Sequence, residues 1–387
     1  MDCGLYVHFP YCVSRCTYCD FNTYTVPDIP REDYTQAILR EGACRSMAYQ
    51  ERRLTSIYFG GGTPSLWGAS HIARILEAIR GWFPSRSASV EVTLECNPGE
   101  ARPELLESLR EAGVNRLSLG LQSLEDNLLQ RIDRRHSADQ GIQGLETVLS
   151  AGFNSTSADL MFGLPGQSLE RWLSDLKTVA ATKVAHISLY HLTLESGTAM
   201  ERDVRRGRVF LPSEEIQTDM WEAIEPVVEP LGFRRYEISN LARPGHASVH
   251  NHHYWSGRPY LGLGAGAHSF LPPSGEPGPE SRWYRYSNRR QPASYMAEIS
   301  DGGAAIAATE TLDCETHLRE RMFTGLRCME GLLLSDVKID LGMDPVEFFG
   351  EALESLQADR LIELSGERLR LTHAGLQVAN DVFLKFF

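Results

Sequence analysis

Three cysteines near the start of the chain have the types and spacing of metal ligands. Cys12, Cys16 and Cys19 form a CxxxCxxC cluster just after residues 5–8, LYVH, which predict a short buried strand. A loop after a strand can direct three thiolates to one centre, one fewer than the four that close a structural zinc or a four-cysteine cluster. A [4Fe–4S] cluster held there would leave one iron open. The spacing alone also permits a redox thiol group, or a zinc site with a distant fourth ligand.

A glycine-rich turn follows the second predicted strand. It contains Gly61, Gly62 and Thr63 within the run GGGTP. Glycines allow backbone amides to approach a ligand closely, although such a turn by itself is more often only a tight turn. Its place directly after the strand that follows the cysteine cluster makes it a candidate binding loop.

Four polar side chains lie along the next predicted strands. Glu95 ends the third strand, Gln122 follows the fourth, Arg134 comes after it, and Asp159 lies within the fifth. An arginine fork suits a ligand carboxylate, and acids suit ribose hydroxyls or an ammonium group. Asp159 stands in an apolar stretch, where a carboxylate is costly without a polar partner. For Glu95, a hydrogen-bonded acid with no ligand is the structural alternative.

Residues 6–21, YVHFPYCVSRCTYCDF, resemble the cluster loop of radical S-adenosylmethionine enzymes. More narrowly, they resemble the oxygen-independent coproporphyrinogen dehydrogenase group and its relatives, the HemW-type heme chaperones. The resemblance implies a [4Fe–4S] cluster on the three cysteines, with the open iron binding S-adenosylmethionine. It also implies that the GGGTP turn holds the amino group of that ligand. The other implied contacts to S-adenosylmethionine are Tyr6, Tyr18, Glu95, Gln122, Arg134 and Asp159, with core packing the alternative for both tyrosines.

A second dense group of polar and aromatic residues is the run HNHHYW, which begins at His250. Its imidazoles could ligate iron and its aromatic rings could stack on a macrocycle, or its histidines could simply bond backbone carbonyls in a structural loop. The run resembles the HNxxYW segment of the heme chaperones, which implies heme contact through His250. The run 186–195, ending YHLTLE, also matches the family, and we expect it to shape the roof of the cavity without a chemical role.

Phe21 is the informative departure from the dehydrogenase pattern. Coproporphyrinogen dehydrogenases carry a further cysteine two residues after the third ligand, whereas this chain has phenylalanine there. The chain also begins almost at the cluster strand, without the N-terminal extension that takes part in substrate binding in the dehydrogenases. Both departures argue against decarboxylation of coproporphyrinogen and favour a resemblance to the heme chaperones.

Composition restricts the class of function. The 387 residues carry a net charge of −13, which argues against extended contact with nucleic acid. No apolar run is long enough to span a membrane, and no signal peptide precedes the first predicted strand. Eight cysteines without regular pairing suit a reducing compartment. We therefore expect a cytoplasmic protein that binds no nucleic acid and reaches a membrane only through a partner.

Alternating strands and helices predict an α/β fold. The predicted strands are residues 5–8, 56–59, 90–95, 116–119, 156–162, 186–191 and 233–239. Such alternation predicts a parallel sheet, with functional loops at the carboxyl ends of its strands. The resemblance likewise implies a (β/α)6-type partial barrel, which we place at 1–240. A glycine- and aromatic-rich extension at 241–308, with a turn-rich loop at 272–279, precedes a small winged-helix-like α+β domain at 309–387.

Two functions fit these features. The first is a heme chaperone that binds the cluster, S-adenosylmethionine and heme, and passes heme to an acceptor hemoprotein. The alternative is a radical enzyme that uses an electron donor to cleave S-adenosylmethionine to a 5′-deoxyadenosyl radical, for porphyrinogen oxidation, methyl transfer, cyclopropanation or heme degradation. An iron–sulfur protein without turnover is a third interpretation.

Overall fold

The computed structural model describes residues 1–273 and 280–387. Most of the turn-rich loop predicted at 272–279 therefore lies outside the described residues. None of the described helices is long and apolar enough to cross a membrane.

A large sheet of twelve described strands forms the centre of the molecule, in the order β12-β11-β10-β9-β1-β2-β3-β4-β5-β6-β8-β7. Its strands are β1 (Asp2–Phe9), β2 (Arg53–Gly61), β3 (Arg86–Cys96), β4 (Arg116–Gln122), β5 (Ser155–Phe162), β6 (His186–His191), β7 (Arg234–Glu237), β8 (Asn240–Ala242), β9 (Tyr260–Leu263), β10 (His268–Leu271), β11 (Trp283–Asn288) and β12 (Ile306–Leu312). Neighbours from β9 through β1 to β6 pair in parallel, and the outer strands pair antiparallel. The predicted α/β fold with a parallel partial barrel is confirmed.

Helices connect and cover these strands, and the last five belong to the C-terminal part of the chain. They are α1 (Arg31–Arg45), α2 (Ala69–Trp82), α3 (Pro103–Ala112), α4 (Asp126–Arg131), α5 (Ala138–Ser150), α6 (Leu169–Ala180), α7 (Ala199–Arg205), α8 (Glu214–Glu222), α9 (Ile224–Val228), α10 (Val249–Trp255), α11 (Pro292–Ser300), α12 (Cys314–Leu326), α13 (Leu334–Leu341), α14 (Pro345–Ala358), α15 (His373–Gln377) and α16 (Ala379–Leu384). Amphipathic helices between parallel strands bury their apolar faces on the sheet, as in α6, where Trp172, Leu176 and Val179 are buried.

The C-terminal part has its own apolar core and a small antiparallel sheet. The sheet consists of β13 (Leu332–Leu333), β14 (Ile362–Ser365) and β15 (Arg368–Leu371), in the order β13-β15-β14. Together with α12, α13 and α14 it gives the helices and two-stranded wing expected of a winged-helix-like unit. Two short helices, α15 and α16, end this part of the chain.

Two segments differ from expectation. The strand predicted at 233–239 corresponds to β7, which ends at Glu237 and pairs antiparallel with β8. In the turn between them, the Glu237 side chain accepts a hydrogen bond from the Ser239 amide (3.1 Å). The extension at 241–308 contributes β9 to β12, and β9 pairs with β1. The large sheet thus runs through residues 240 and 308, and the three-domain division stays a prediction from sequence.

Packing of aromatic rings beneath the cysteine loop fixes the position of that loop. Phe9 stacks on Trp67, with ring centroids 4.8 Å apart, and Tyr34 packs edge-on against Phe9. The Tyr34 hydroxyl donates to the backbone carbonyl of His8 (2.9 Å) and accepts from the amide of Ala265 (2.9 Å). These buried contacts join β1, α1 and the loop after β9, so the strand that leads to the cysteines has a rigid base.

Candidate functional site

Three cysteines face one cleft at the carboxyl ends of the parallel strands. Cys12, Cys16 and Cys19 line a cavity of about 550 Å³ and are free, partly buried thiols. Backbone hydrogen bonds shape their loop, because the amide of Cys12 donates to the carbonyl of Tyr24 (3.0 Å). The loop after β1 therefore presents all three sulfurs to the same space, as the spacing predicted.

These sulfurs suit a cluster better than a single ion. Among the described residues, no three His, Cys, Asp or Glu side chains are placed to hold one metal ion. The cysteine ligands of a cubane bind different irons and so stand apart around its faces. Burial raises the pKa of Cys12 to about 11 and also raises that of Cys19. The raised pKa favours the protonated thiol at Cys12 and Cys19, and a metal must displace those protons on binding.

The glycine turn after β2 forms one wall of the cleft. A Cβ atom on Gly62 would lie 2.6 Å from the backbone oxygen of Tyr11 and 3.0 Å from the Cys12 sulfur. Gly61 has a φ of 114°, which side chains rarely adopt, and its amide donates to Glu95 Oε2 (3.1 Å). Only glycine fits at these two positions. Because neither residue has a side chain, the space beside the cysteines stays free.

Two buried carboxyl groups face the cleft from neighbouring strands. Glu95 at the end of β3 accepts from the Tyr58 hydroxyl (2.8 Å), and burial raises its pKa to about 7. Asp159 on β5 accepts from the Ser118 hydroxyl (2.9 Å), and burial raises its pKa as well. The two acids raise each other's cost of ionisation, so a cationic or hydroxyl-bearing ligand between them would relieve an unfavourable arrangement.

Arg134 and Gln122 carry buried polar atoms that have no hydrogen-bond partner among the described residues. The Arg134 guanidinium donates to Asn97 Oδ1 (2.8 Å) and to the carbonyl of Gly120, but its Nε is buried without a hydrogen bond. The buried Oε1 of Gln122 also lacks a partner, and Gln122 has a left-handed φ of 66°. Backbone strain and unpartnered buried atoms concentrate where a ligand completes the structure. Both residues line the cleft.

The two tyrosines differ in position. Tyr18 lines the cleft beside the cysteines. Tyr6 lies behind the cleft wall, where its hydroxyl bonds His8 Nδ1 (2.9 Å) and its ring packs against Tyr58. Apart from Tyr6, the predicted contacts to S-adenosylmethionine thus line the same cleft as the cysteines.

Sequence reasoning missed several residues of the cleft wall. Asn97 binds the Arg134 guanidinium, and Ser118 holds Asp159. Tyr58 fixes Glu95 from the neighbouring strand β2. The alternation of side chains along a strand could have revealed two of them. Tyr58 lies on the same strand face as Gly60, and Ser118 lies on the same strand face as Gly120. Tyr190 and His191, at the end of β6, also line the cleft.

His250 does not line the cleft, although its ring stacks on Tyr58, with ring centroids 5.0 Å apart. It belongs to α10, whose amino terminus is capped by Glu91, and it packs against the amino-terminal halves of β1 and β2. Its Nδ1 bonds the Ser56 hydroxyl (2.9 Å) and its Nε2 bonds the Tyr254 hydroxyl (3.0 Å). The ring is buried, and burial lowers its pKa to about 3. Both ring nitrogens are therefore engaged in this conformation, away from the cysteine cleft.

The fold and the cleft are those of a radical S-adenosylmethionine protein. The model of the Radical SAM superfamily matches residues 6–179, and that of the HemN C-terminal domain matches residues 312–378. The solved structure of coproporphyrinogen III oxidase (HemN) from Escherichia coli has the same fold, with a TM-score of 0.83, 23% identity, and coverage of 100% of this chain and 90% of that one.

Full-length relatives define the group more narrowly. Heme chaperone HemW from Bacillus subtilis is 33% identical, over 98% of both chains. The mitochondrial Radical S-adenosyl methionine domain-containing protein 1 of Mus musculus is 36% identical, over 98% of this chain and 86% of that one. The chain belongs to the HemW-like group of the radical SAM superfamily.

Proposed function

We propose that this protein is a heme chaperone that binds a [4Fe–4S] cluster, S-adenosylmethionine and heme, and passes heme to an acceptor hemoprotein in the cytoplasm. The observation that carries the proposal is the full-length match to HemW of Bacillus subtilis, which is named a heme chaperone, at 33% identity. The cleft with its three free cysteines is the structural counterpart of that match.

The residues of the cleft fit both cofactors. Cys12, Cys16 and Cys19 would hold the cluster, which supplies an open iron for the amino and carboxylate groups of S-adenosylmethionine. Arg134 is suited to pair with the ligand carboxylate, because its guanidinium is already held in place by Asn97 and has an unused Nε donor. Gln122 offers an unpartnered amide oxygen for a ligand hydroxyl or ammonium group.

Glu95 and Asp159 are suited to the cationic and hydroxyl parts of the same ligand. Each carboxyl is already oriented by a neighbouring hydroxyl, from Tyr58 and Ser118 respectively. Binding a positively charged ligand would favour ionisation of both acids. The chain's contribution is therefore to hold the ligand and exclude water around it.

Phe21 supports heme rather than coproporphyrinogen as the tetrapyrrole. Its side chain is 63% exposed and lines the same cleft as the cysteines. An exposed phenylalanine offers apolar surface to a flat macrocycle. It also occupies the position at which the dehydrogenases have a further cysteine.

Heme contact through His250 carries a structural condition. Iron coordination by His250 needs a free ring nitrogen, and that requires α10 to move or its hydrogen bonds to Ser56 and Tyr254 to break. His250 as the heme ligand therefore stays a prediction from the resemblance, and it requires this rearrangement.

The experiment is anaerobic reconstitution of the cluster, followed by titration with hemin and incubation with a heme-free acceptor such as apomyoglobin. A chaperone shows saturable hemin binding and then transfer of intact heme to the acceptor, followed by the Soret band of the product. Failure to bind hemin above the level of an unrelated acidic protein would rule the proposal out.

The second candidate is a radical enzyme, and the arrangement of Glu95, Arg134 and Asp159 around the cleft supports it. Such an enzyme needs an electron donor and releases 5′-deoxyadenosine under reducing conditions. Detection of 5′-deoxyadenosine in amounts that track loss of an organic substrate would favour this function over the chaperone.

A further inference from the structure

His191 is an exposed histidine at the end of β6 and lines the cysteine cleft. The ring stacks on Phe162, with centroids 5.0 Å apart and planes 28° apart. Gly163 has a φ of 76°, and a Cβ there would lie 3.0 Å from the imidazole. Because Gly163 has no side chain, the imidazole ring of His191 fits beside it.

Gln217 fixes which nitrogen of His191 carries the proton. The amide nitrogen of Gln217 donates to the carbonyl of Pro212 (2.6 Å), and a carbonyl only accepts, so Oε1 is the atom that faces His191. His191 Nε2 lies 2.5 Å from that oxygen and must be the donor. In the neutral ring, Nδ1 then holds the lone pair, and it has no hydrogen-bond partner among the described residues. Histidines that bind metals usually donate their other ring N–H to an oxygen atom. His191 has this arrangement, with Nε2 as the donor and Nδ1 available to a metal.

Other histidines lack this combination. His136 also lines the cleft, but it is buried and its Nε2 bonds the carbonyl of Leu121 (3.1 Å). His250 has both nitrogens engaged. Within the described part of the chain, His191 is thus the exposed cleft-lining imidazole with a free lone pair.

The surroundings of His191 match a flat macrocycle with acidic side chains. Tyr190 is 45% exposed, and it shares the cleft with the exposed Phe21. The exposed guanidinium groups of Arg15 and Arg135 also line the cleft. Aromatic surface, cations for carboxylates and an imidazole for iron are the groups that recognise an iron porphyrin dicarboxylate.

We propose that His191, through Nδ1, is the protein ligand to heme iron at the mouth of the cluster cleft, and that Gln217 positions it. This proposal rests on the proposed heme-binding function and adds the site and the ligand. It also predicts that heme is bound without displacement of α10, in contrast to coordination by His250.

The test compares hemin with iron-free protoporphyrin IX on the reconstituted protein. For His191→Ala we expect a shifted Soret band and at least about tenfold weaker hemin binding, restored in spectrum by added imidazole. Binding of iron-free protoporphyrin IX should not change, because it has no iron to coordinate. Gln217→Leu should weaken hemin binding by about 10- to 100-fold, and His252→Ala, an exposed histidine on α10, should have no effect.

Three outcomes are decisive. A His191→Ala protein with an intact cluster, wild-type hemin spectrum and wild-type affinity would overturn the assignment while leaving the chaperone function standing. Loss of the imidazole-ligated spectrum in His250→Ala but not in His191→Ala would overturn it in favour of α10. Absence of hemin binding by the wild-type protein would defeat both this proposal and the function on which it rests.

Discussion

The cysteine cleft and helix α10 are both rich in side chains that bind metals, but they differ in what those side chains are free to do. Among the described residues, the cleft holds three free thiols and several polar side chains with buried, unpartnered atoms, including Gln122 and Arg134. In α10, His250 has a partner on each ring nitrogen and a pKa lowered to about 3 by burial. A dense group of metal-binding residues therefore marks a site only where its lone pairs are available and reachable.

The largest expected effect is on the cleft side of this comparison. Replacement of Cys12, Cys16 or Cys19 with Ala should abolish the absorbance of the [4Fe–4S] cluster after anaerobic reconstitution, because each thiolate anchors a different iron. Cys44 is exposed and does not line the cleft, so Cys44→Ala is the matched control and should reconstitute normally. A triple variant that still takes up about four irons per chain would show that the ligands are elsewhere.

The S-adenosylmethionine ligands should show the next largest effect. Arg134→Ala and Asp159→Ala each remove a charge-assisted hydrogen bond worth about 1.5–3 kcal/mol, which corresponds to about ten- to a hundredfold weaker binding. Calorimetry on cluster-loaded protein measures this, and Arg110→Ala, an exposed position on α3, serves as the control. Wild-type affinity in both variants would mean that these residues only support the fold.

For α10, we expect the free energy of unfolding to fall in acid because of His250. The pKa of His250 is near 6.5 in an unfolded chain and about 3 in the folded one. The unfolded chain therefore binds the extra proton between these values, and the stabilisation present above pH 6.5 is lost progressively as pH falls toward 3. From pH 7 to pH 5 this group alone should lower the free energy of unfolding by about 2 kcal/mol.

Denaturant unfolding of wild type and His250→Gln at the two pH values checks this prediction. The variant should be less stable at pH 7 and lose less stability on acidification. Equal losses in the two proteins would show that His250 is solvated and free to titrate, as an accessible heme ligand would be.

The smallest effect on stability is expected at Phe21. Because this side chain is mostly exposed, Phe21→Ala should change the free energy of unfolding by no more than about 0.5 kcal/mol, while it weakens hemin binding. Phe9→Ala, at a buried position just before the same loop, is the comparison and should cost about 3–5 kcal/mol. A large loss of stability in Phe21→Ala would assign this residue to the fold rather than to ligand contact.

Much of the cleft could be predicted from the sequence because its residues follow predicted strands one after another. The cysteines, the GGGTP turn, Glu95 and Asp159 all come from strands of a parallel sheet, whose carboxyl ends meet at one edge. Each strand and its polar residue are neighbours in sequence there, and the family resemblance then singled out these residues as ligand contacts.

The position of α10 could not be obtained in the same way. It depends on contacts between residues far apart in the chain, such as Glu91 with the His250 amide and Ser56 with the His250 ring. The role of His191 likewise depends on Gln217 from α8, which selects its tautomer. Tyr6, which the resemblance implies as a ligand contact, does not line the cleft, and its hydroxyl bonds His8 Nδ1 (2.9 Å).

The most direct test of heme handling follows the tetrapyrrole itself. Reconstituted protein is mixed anaerobically with S-adenosylmethionine, a reductant and either hemin or coproporphyrinogen III, and the tetrapyrroles are then quantified by chromatography after addition of apomyoglobin. The heme-chaperone function predicts that hemin binds at about one per chain, reaches apomyoglobin chemically intact, and that coproporphyrinogen III is recovered unchanged. Stoichiometric conversion of coproporphyrinogen III to protoporphyrinogen IX, with matching 5′-deoxyadenosine, would contradict it.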